Sequence, residues 1–251
     1  MTIPFTLILG ALFPSLVLIA FICFKDRVSP EPTKYLIKAF IFGMISADAS
    51  LLISTPLSML GVFPETPVTV FDHFRVAFFG AGVPEELAKF FMLWLALRHN
   101  PAFDENFDGI VYAVCVGMGF AFVENIGYLA SAGEYWVHLG IVRSIISVPG
   151  HYVFAVFMGY YYSLVHFNYG DTKLYKVLML AVPILAHTMF DWILMVSNAV
   201  QYQITSSILT VAFLLLFFNL QKLGRKDLMS HLSKDYYSNI TGTDNDVDVQ
   251  G

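Results

Sequence analysis

The sequence predicts an all-α integral membrane protein, a polytopic bundle of about seven transmembrane helices. Of its 251 residues, 57% are hydrophobic and only 13% are charged, a composition that soluble globular domains do not show. Apolar runs of about 20 residues, the length that crosses a bilayer as a helix, recur along the chain. The basic residues form no dense cluster, so nucleic acid is not an expected partner.

The apolar runs also differ from one another in ways that predict their roles. The first is not expected to be a cleaved signal peptide, because its positive charges follow it instead of preceding it. The second and fourth are rich in Gly, Ala and Ser, which predicts close packing against other helices. Asp48, in the second, is expected to be a structural hydrogen-bond partner. The predicted spans are residues 3–24, 35–56, 75–97, 109–131, 145–167, 174–196 and 203–221.

The positions of Lys and Arg predict the orientation of the bundle. Inner loops of membrane proteins carry an excess of these residues. We therefore expect the N-terminus outside and the C-terminus inside. Residues 1–223 are expected to form one membrane domain, and the polar residues 224–251 a mobile cytoplasmic tail. Eleven of the 14 basic residues fall in the predicted inner segments: Lys25, Arg27, Lys34, Lys38, Arg98, Lys173, Lys176, Lys222, Arg225, Lys226 and Lys234.

The third predicted span contains Glu85, Glu86 and Lys89 within an otherwise apolar run. A charged side chain at the centre of a membrane helix costs roughly 2.5–3.5 kcal/mol, so such groups need partners or a function. Lys89 follows Glu85 by four residues and Glu86 by three, a spacing that lets it reach either carboxylate. The segment is therefore either an ion pair that fixes helix packing or part of a catalytic or ligand site.

Three later spans carry ionisable groups at a similar depth. Glu124 lies in the fourth span, His151 in the fifth and His187 in the sixth. Asp191 follows His187 by four residues and so shares its helix face. At a rise of 1.5 Å per residue, the predicted spans place Glu85, Glu124, His151 and His187 roughly 9–15 Å below the outer surface. We therefore expect them to meet in the outer half of the membrane.

Two imidazoles and several carboxylates in an apolar bundle match the chemistry of a catalytic zinc site. Zn²⁺ binds His nitrogen and Glu oxygen, and a catalytic site keeps one position for water. A spare carboxylate then accepts a proton from that water and passes it to the leaving amine. This favours a metal-dependent peptidase. A catalytically silent scaffold or binding protein and a proton- or ion-coupled transporter are the alternatives, although the sequence shows no paired half-repeats typical of transporters.

The motifs resemble those of PrsW-type intramembrane proteases. A more distant resemblance is to CAAX prenyl endopeptidases and bacteriocin-processing enzymes, which commonly carry other residues at positions 89, 124 and 191. The matching segments are Glu-Glu-x-x-Lys at 85–89, Phe-x-x-x-Glu-Asn at 120–125, His151, His-x-x-x-Asp at 187–191, and the stretches Lys25–Pro32 and Asp104–Gly109.

This resemblance implies a protease of the bacterial cytoplasmic membrane that makes the first, extracytoplasmic cut in a membrane-anchored anti-sigma factor. The expected partners are therefore a single-span membrane protein substrate and the lipid bilayer. We predict Glu85 as the general base, with Glu86 either sharing that role or pairing with Lys89. The predicted ligands of a divalent metal, Zn²⁺ by its chemistry, are Glu124, His151 and His187, and Asp191 is expected to support the ligands or the oxyanion.

Overall fold

The computed structural model describes residues 4–27 and 29–198, and these residues form helices with no strand. A π-helical segment, Val76–Gly82, joins α3 to α4, and a single 3₁₀ turn, Gly133–Tyr135, precedes α6. The α-helices are α1 (Phe5–Lys25), α2 (Thr33–Met59), α3 (Val70–Arg75), α4 (Val83–Leu97), α5 (Asp108–Ser131), α6 (Trp136–Ile145), α7 (Ser147–His166) and α8 (Thr172–Asn198).

Five helical segments of the described chain are long and apolar enough to cross a membrane. They are α1, α2, α5, α8 and the run Gly133–His166, which ends in α7. The protein is therefore a multi-pass integral membrane protein, and the all-α prediction is confirmed. The predicted seventh span, 203–221, and the predicted tail, 224–251, lie outside the described residues. The count of seven and the orientation stay predictions.

The third predicted span, 75–97, is helical throughout but is divided. The capping box of Thr69 and Asp72 starts α3, and the π segment then leads into α4, whose first turn holds Pro84. Gly82, at the end of the π segment, faces α8 so closely that an added Cβ would overlap the Thr188 hydroxyl. This close approach sets the start of α4, with its carboxylates, directly against α8.

Helix α5 occupies the centre of the bundle and packs against α1, α2, α4 and α7. Its backbone approaches two neighbours closely through glycines. A Cβ at Gly119 would overlap the Phe40 carbonyl of α2, and one at Gly159 of α7 would overlap the Gly109 carbonyl. The predicted close packing by small residues is thus confirmed. As a result, α5 carries Glu124 into the middle of the surrounding helices.

Candidate active site

The structure brings all seven predicted site residues into one connected cluster between four helices. Asp48, by contrast, is exposed on α2 and makes no hydrogen bond among the described residues, so the expected structural bond is not found there. The cluster comprises Glu85, Glu86 and Lys89 of α4, Glu124 of α5, His151 of α7, and His187 and Asp191 of α8.

Lys89 lies at the centre of this cluster and is almost fully buried. Its Nζ is 2.9 Å from Glu86 Oε1, 3.3 Å from Glu85 Oε2 and 3.2 Å from His151 Nδ1. It also lies 3.7 Å from the centroid of the Phe120 ring, whose face attracts a cation. One ammonium group thus compensates two carboxylates and joins α4 to α7.

Glu86 has no exposed surface and lies between Lys89 and His187. Its Oε1 accepts hydrogen bonds from Lys89 and, at 2.8 Å, from Nδ1 of His187. A carboxylate on Nδ1 fixes the tautomer of the ring and leaves Nε2 as the nitrogen with a free lone pair. The geometry therefore favours the pairing of Glu86 with Lys89 over a shared role as base.

His187 presents Nε2 to two carboxylates at the open side of the cluster. Asp191 Oδ2 lies 3.4 Å from this nitrogen and Glu85 Oε2 lies 3.7 Å from it. The ring stacks on Phe154, with 4.8 Å between centroids. Glu85 and Asp191 keep 14% and 22% of their side-chain surface exposed, so a substrate could reach them while His187 stays buried.

Glu124 is held by a residue that lies between two predicted spans and was not among the predicted site residues. Arg143 of α6 is buried, and it donates from Nη2 to Glu124 at 2.8 Å and from Nε to Asn125 at 2.6 Å. Glu124 also contacts His151 Nε2 at 2.8 Å. The sequence did contain an indication of this role. Arg143 is a basic residue in a predicted outer segment, where the orientation rule expects few Lys and Arg residues.

We expect Arg143→Ala to lower the rate of substrate cleavage by about 10–100-fold, because Glu124 would lose the cation that holds it against His151. Arg143→Lys should restore only part of the activity, since a point charge cannot bond Glu124 and Asn125 together. The measurement is kcat and metal content of purified variants, with exposed His138→Ala on the same helix as control. Unchanged kcat in Arg143→Ala would exclude the positioning role.

The residues present fit a divalent metal. One ligand atom each from Glu85, His151 and His187 lie within 4.8 Å of one another, and this donor chemistry is that of catalytic zinc sites. Glu86 Oε2 is buried without a hydrogen-bond partner among the described residues, which is consistent with a missing cation or water beside it. His151 contacts Lys89 and Glu124, so a metal there would replace one of these contacts. Glu124 is not a member of this compact group.

Comparison with known proteins is consistent with this site. The family described as PrsW family intramembrane metalloprotease matches residues 31–219. A protein named Protease PrsW from Clostridioides difficile (strain 630) is 35% identical over 238 residues, covering 93% of this chain and 96% of that protein. The protein of the same name from Geobacillus kaustophilus is 30% identical, covering 76% of this chain and 80% of that protein. The one from Bacillus subtilis is 31% identical, covering 80% of this chain and 88% of that protein. No solved structure matches.

Proposed function

This chain belongs to the PrsW family of intramembrane metalloproteases, and we propose that it makes the first cut in a membrane-anchored protein such as an anti-sigma factor. The observation that carries the proposal is the His151–His187–Glu85 group, set among further carboxylates in an apolar bundle. Ionisable groups buried among membrane helices indicate a functional site, since burying them costs free energy that packing alone does not require.

The metal would be held by His151, His187 and Glu85, with Zn²⁺ as the ion that best suits two imidazoles and a carboxylate. This differs from the prediction from sequence, in which Glu124 was the oxygen donor and Glu85 the base. The geometry favours the exchange, because Glu124 already accepts bonds from Arg143 and His151. When bound, the metal supplies a Lewis acid that polarises the scissile carbonyl and makes a water acidic.

Asp191 is the side chain that we propose to take the proton of the attacking water. It is partly exposed beside His187 Nε2 and has no ion pair with Lys or Arg among the described residues. Its protonated form would then donate to the leaving amine. Glu86 keeps the His187 ring oriented, and Lys89 compensates the charge of Glu85 and Glu86 throughout the reaction.

Asp191→Asn is expected to retain the metal and lose cleavage by about 10²–10⁴-fold, because an amide cannot accept the proton. The variant preserves side-chain size, so folding should change little. Turnover and bound metal are measured on the same preparation. Wild-type cleavage by Asp191→Asn would move the role of base to another carboxylate.

The function itself is tested by reconstituting the full chain in liposomes with single-span substrates, including an anti-sigma factor. Cleavage near the span that stops with EDTA and returns with Zn²⁺ is the expected result. Cleavage by metal-free protein would end the metallopeptidase proposal. Substrate binding without cleavage would support the alternative of a catalytically silent scaffold. Ion flux across the same liposomes would support the alternative of a transporter.

We also propose that the N-terminus lies outside and that the site opens on the extracytoplasmic side of a bacterial cytoplasmic membrane. The support is the bias of Lys and Arg toward one set of loops. Reporter fusions after Met1 and after Lys234 test this orientation. An external C-terminal reporter is the outcome that would reverse it and move the cut to the other face.

A further inference from the structure

A second cluster of acids lies at the opposite end of the bundle from the histidines. It joins the α1–α2 connection, which holds Asp26 and Glu31, to Asp108, the first residue of α5. Sixteen residues separate Asp108 from Glu124, about 24 Å along the helix, so the two groups are distinct sites. One carboxylate oxygen from each of the three acids lies within 4.8 Å of the others.

Burial makes this arrangement costly without a compensating charge. Asp108 has no exposed surface and Asp26 only 4%. Carboxylates crowded together in a buried position repel one another and cannot all stay ionised unless a cation or shared protons compensate them. Asp104 and Glu105, in the α4–α5 connection just before Asp108, add further negative charge.

A further observation points to a ligand between these groups. Asp108 Oδ2 accepts hydrogen bonds from the backbone N–H groups of Asp104, at 3.0 Å, and Glu105, at 2.7 Å. Asp108 Oδ1 is also buried and receives no N–H or O–H hydrogen bond from a described residue, while the carboxyl group of Glu31 lies within hydrogen-bonding reach of the Asp108 side chain. Glu31 is held in place by the hydroxyl of Tyr112, which donates to its Oε2. A fixed carboxylate with an unsatisfied buried oxygen is a preformed donor for a cation.

We propose that Asp26, Glu31 and Asp108 form a binding site for a hard divalent cation, Ca²⁺ or Mg²⁺, that ties the α1–α2 connection to the start of α5. The donors are oxygens only, which hard cations prefer, whereas the histidine site suits zinc. Because α5 is the central helix, this cation stabilises the bundle and takes no part in the hydrolysis.

The test uses the full-length protein in detergent after exhaustive chelation and dialysis. Addition of CaCl₂ or MgCl₂ up to about 10 mM should raise Tm by about 5 °C or more, because a ligand that binds only the folded state stabilises it. Tb³⁺, a luminescent substitute for Ca²⁺, should bind near Tyr112 and be excited through its ring. Tyr112→Phe should lower that excitation, and it should also reduce the Tm shift, because Glu31 loses the hydroxyl that holds it.

Glu31→Gln and Asp26→Asn should each weaken Ca²⁺ binding by at least about tenfold, whereas the exposed Glu134→Gln at the other end should not. The rise in Tm with Ca²⁺ should persist in His187→Ala. The test of the cation site therefore does not depend on whether the proposed catalytic metal site is correct. No Tm shift with either ion, or an equal shift in Glu31→Gln, overturns the proposal. Stabilisation by acidification alone would instead show that the carboxylates share protons.

Discussion

Glu85→Gln is expected to lose bound metal and cleavage together, with activity falling by at least about a thousandfold. Glu85 supplies the carboxylate of the group that it forms with His151 and His187, and an amide is a much weaker ligand for Zn²⁺. Several kcal/mol of transition-state stabilisation depend on the metal, and each 1.36 kcal/mol is tenfold in rate. His187→Ala should have the same effect for the same reason.

The measurement is metal content beside kcat/KM for each purified variant. Glu65→Gln, an exposed acid in the α2–α3 connection, is the matched control and should retain both. If Glu85→Gln keeps its metal and only turnover stops, Glu85 is the base that the sequence predicted. If Glu124→Gln in turn loses the metal, Glu124 is the oxygen donor and the exchange proposed from the geometry is wrong.

The sequence was sufficient to predict the membrane fold and the meeting of the ionisable groups within it. Both depend on properties that lie along the chain, namely the length of apolar runs and the fixed rise of a helix. The bounds of α5 and α7 accordingly differ from those predicted by at most two residues. The small residues of α5 likewise indicated its central position, because only such residues let backbones approach closely.

The pairing between helices could not be predicted in the same way. Whether Glu85 or Glu124 is the better placed toward the two imidazoles depends on the rotation of each helix about its axis. Each residue turns the helix by about 100°, so a span boundary that is uncertain by two residues leaves the direction of a side chain uncertain by about 200°. The contact of Arg143 with Glu124 favours Glu85 as the oxygen donor, and it comes from α6, which lies almost wholly between two predicted spans. The π-helical segment before α4 could not be predicted from periodicity either, because its apolar residues are equally compatible with an ordinary α-helix.

Lys89→Met is expected to destabilise the protein by about 3–5 kcal/mol, the usual cost of removing one partner from a buried ion pair. The two carboxylates of Glu85 and Glu86 would remain in an apolar bundle without their cation. For a protein of this size the loss corresponds to a fall in Tm of about 10 °C. Accumulation in the membrane should fall as well, since unfolded protein is degraded.

The double variant Lys89→Met with Glu86→Gln separates charge compensation from packing. It removes the cation together with the fully buried carboxylate, so the free energy of unfolding should recover by about 1–3 kcal/mol relative to Lys89→Met alone. Activity should not recover, because the amide that replaces the Glu86 carboxylate is no longer a charged partner for Nδ1 of His187. Thermal unfolding and cleavage of the four proteins in this cycle give both quantities. Equal stability of Lys89→Met and the wild type would show that Lys89 does not compensate these acids, and the site would then need another source of positive charge.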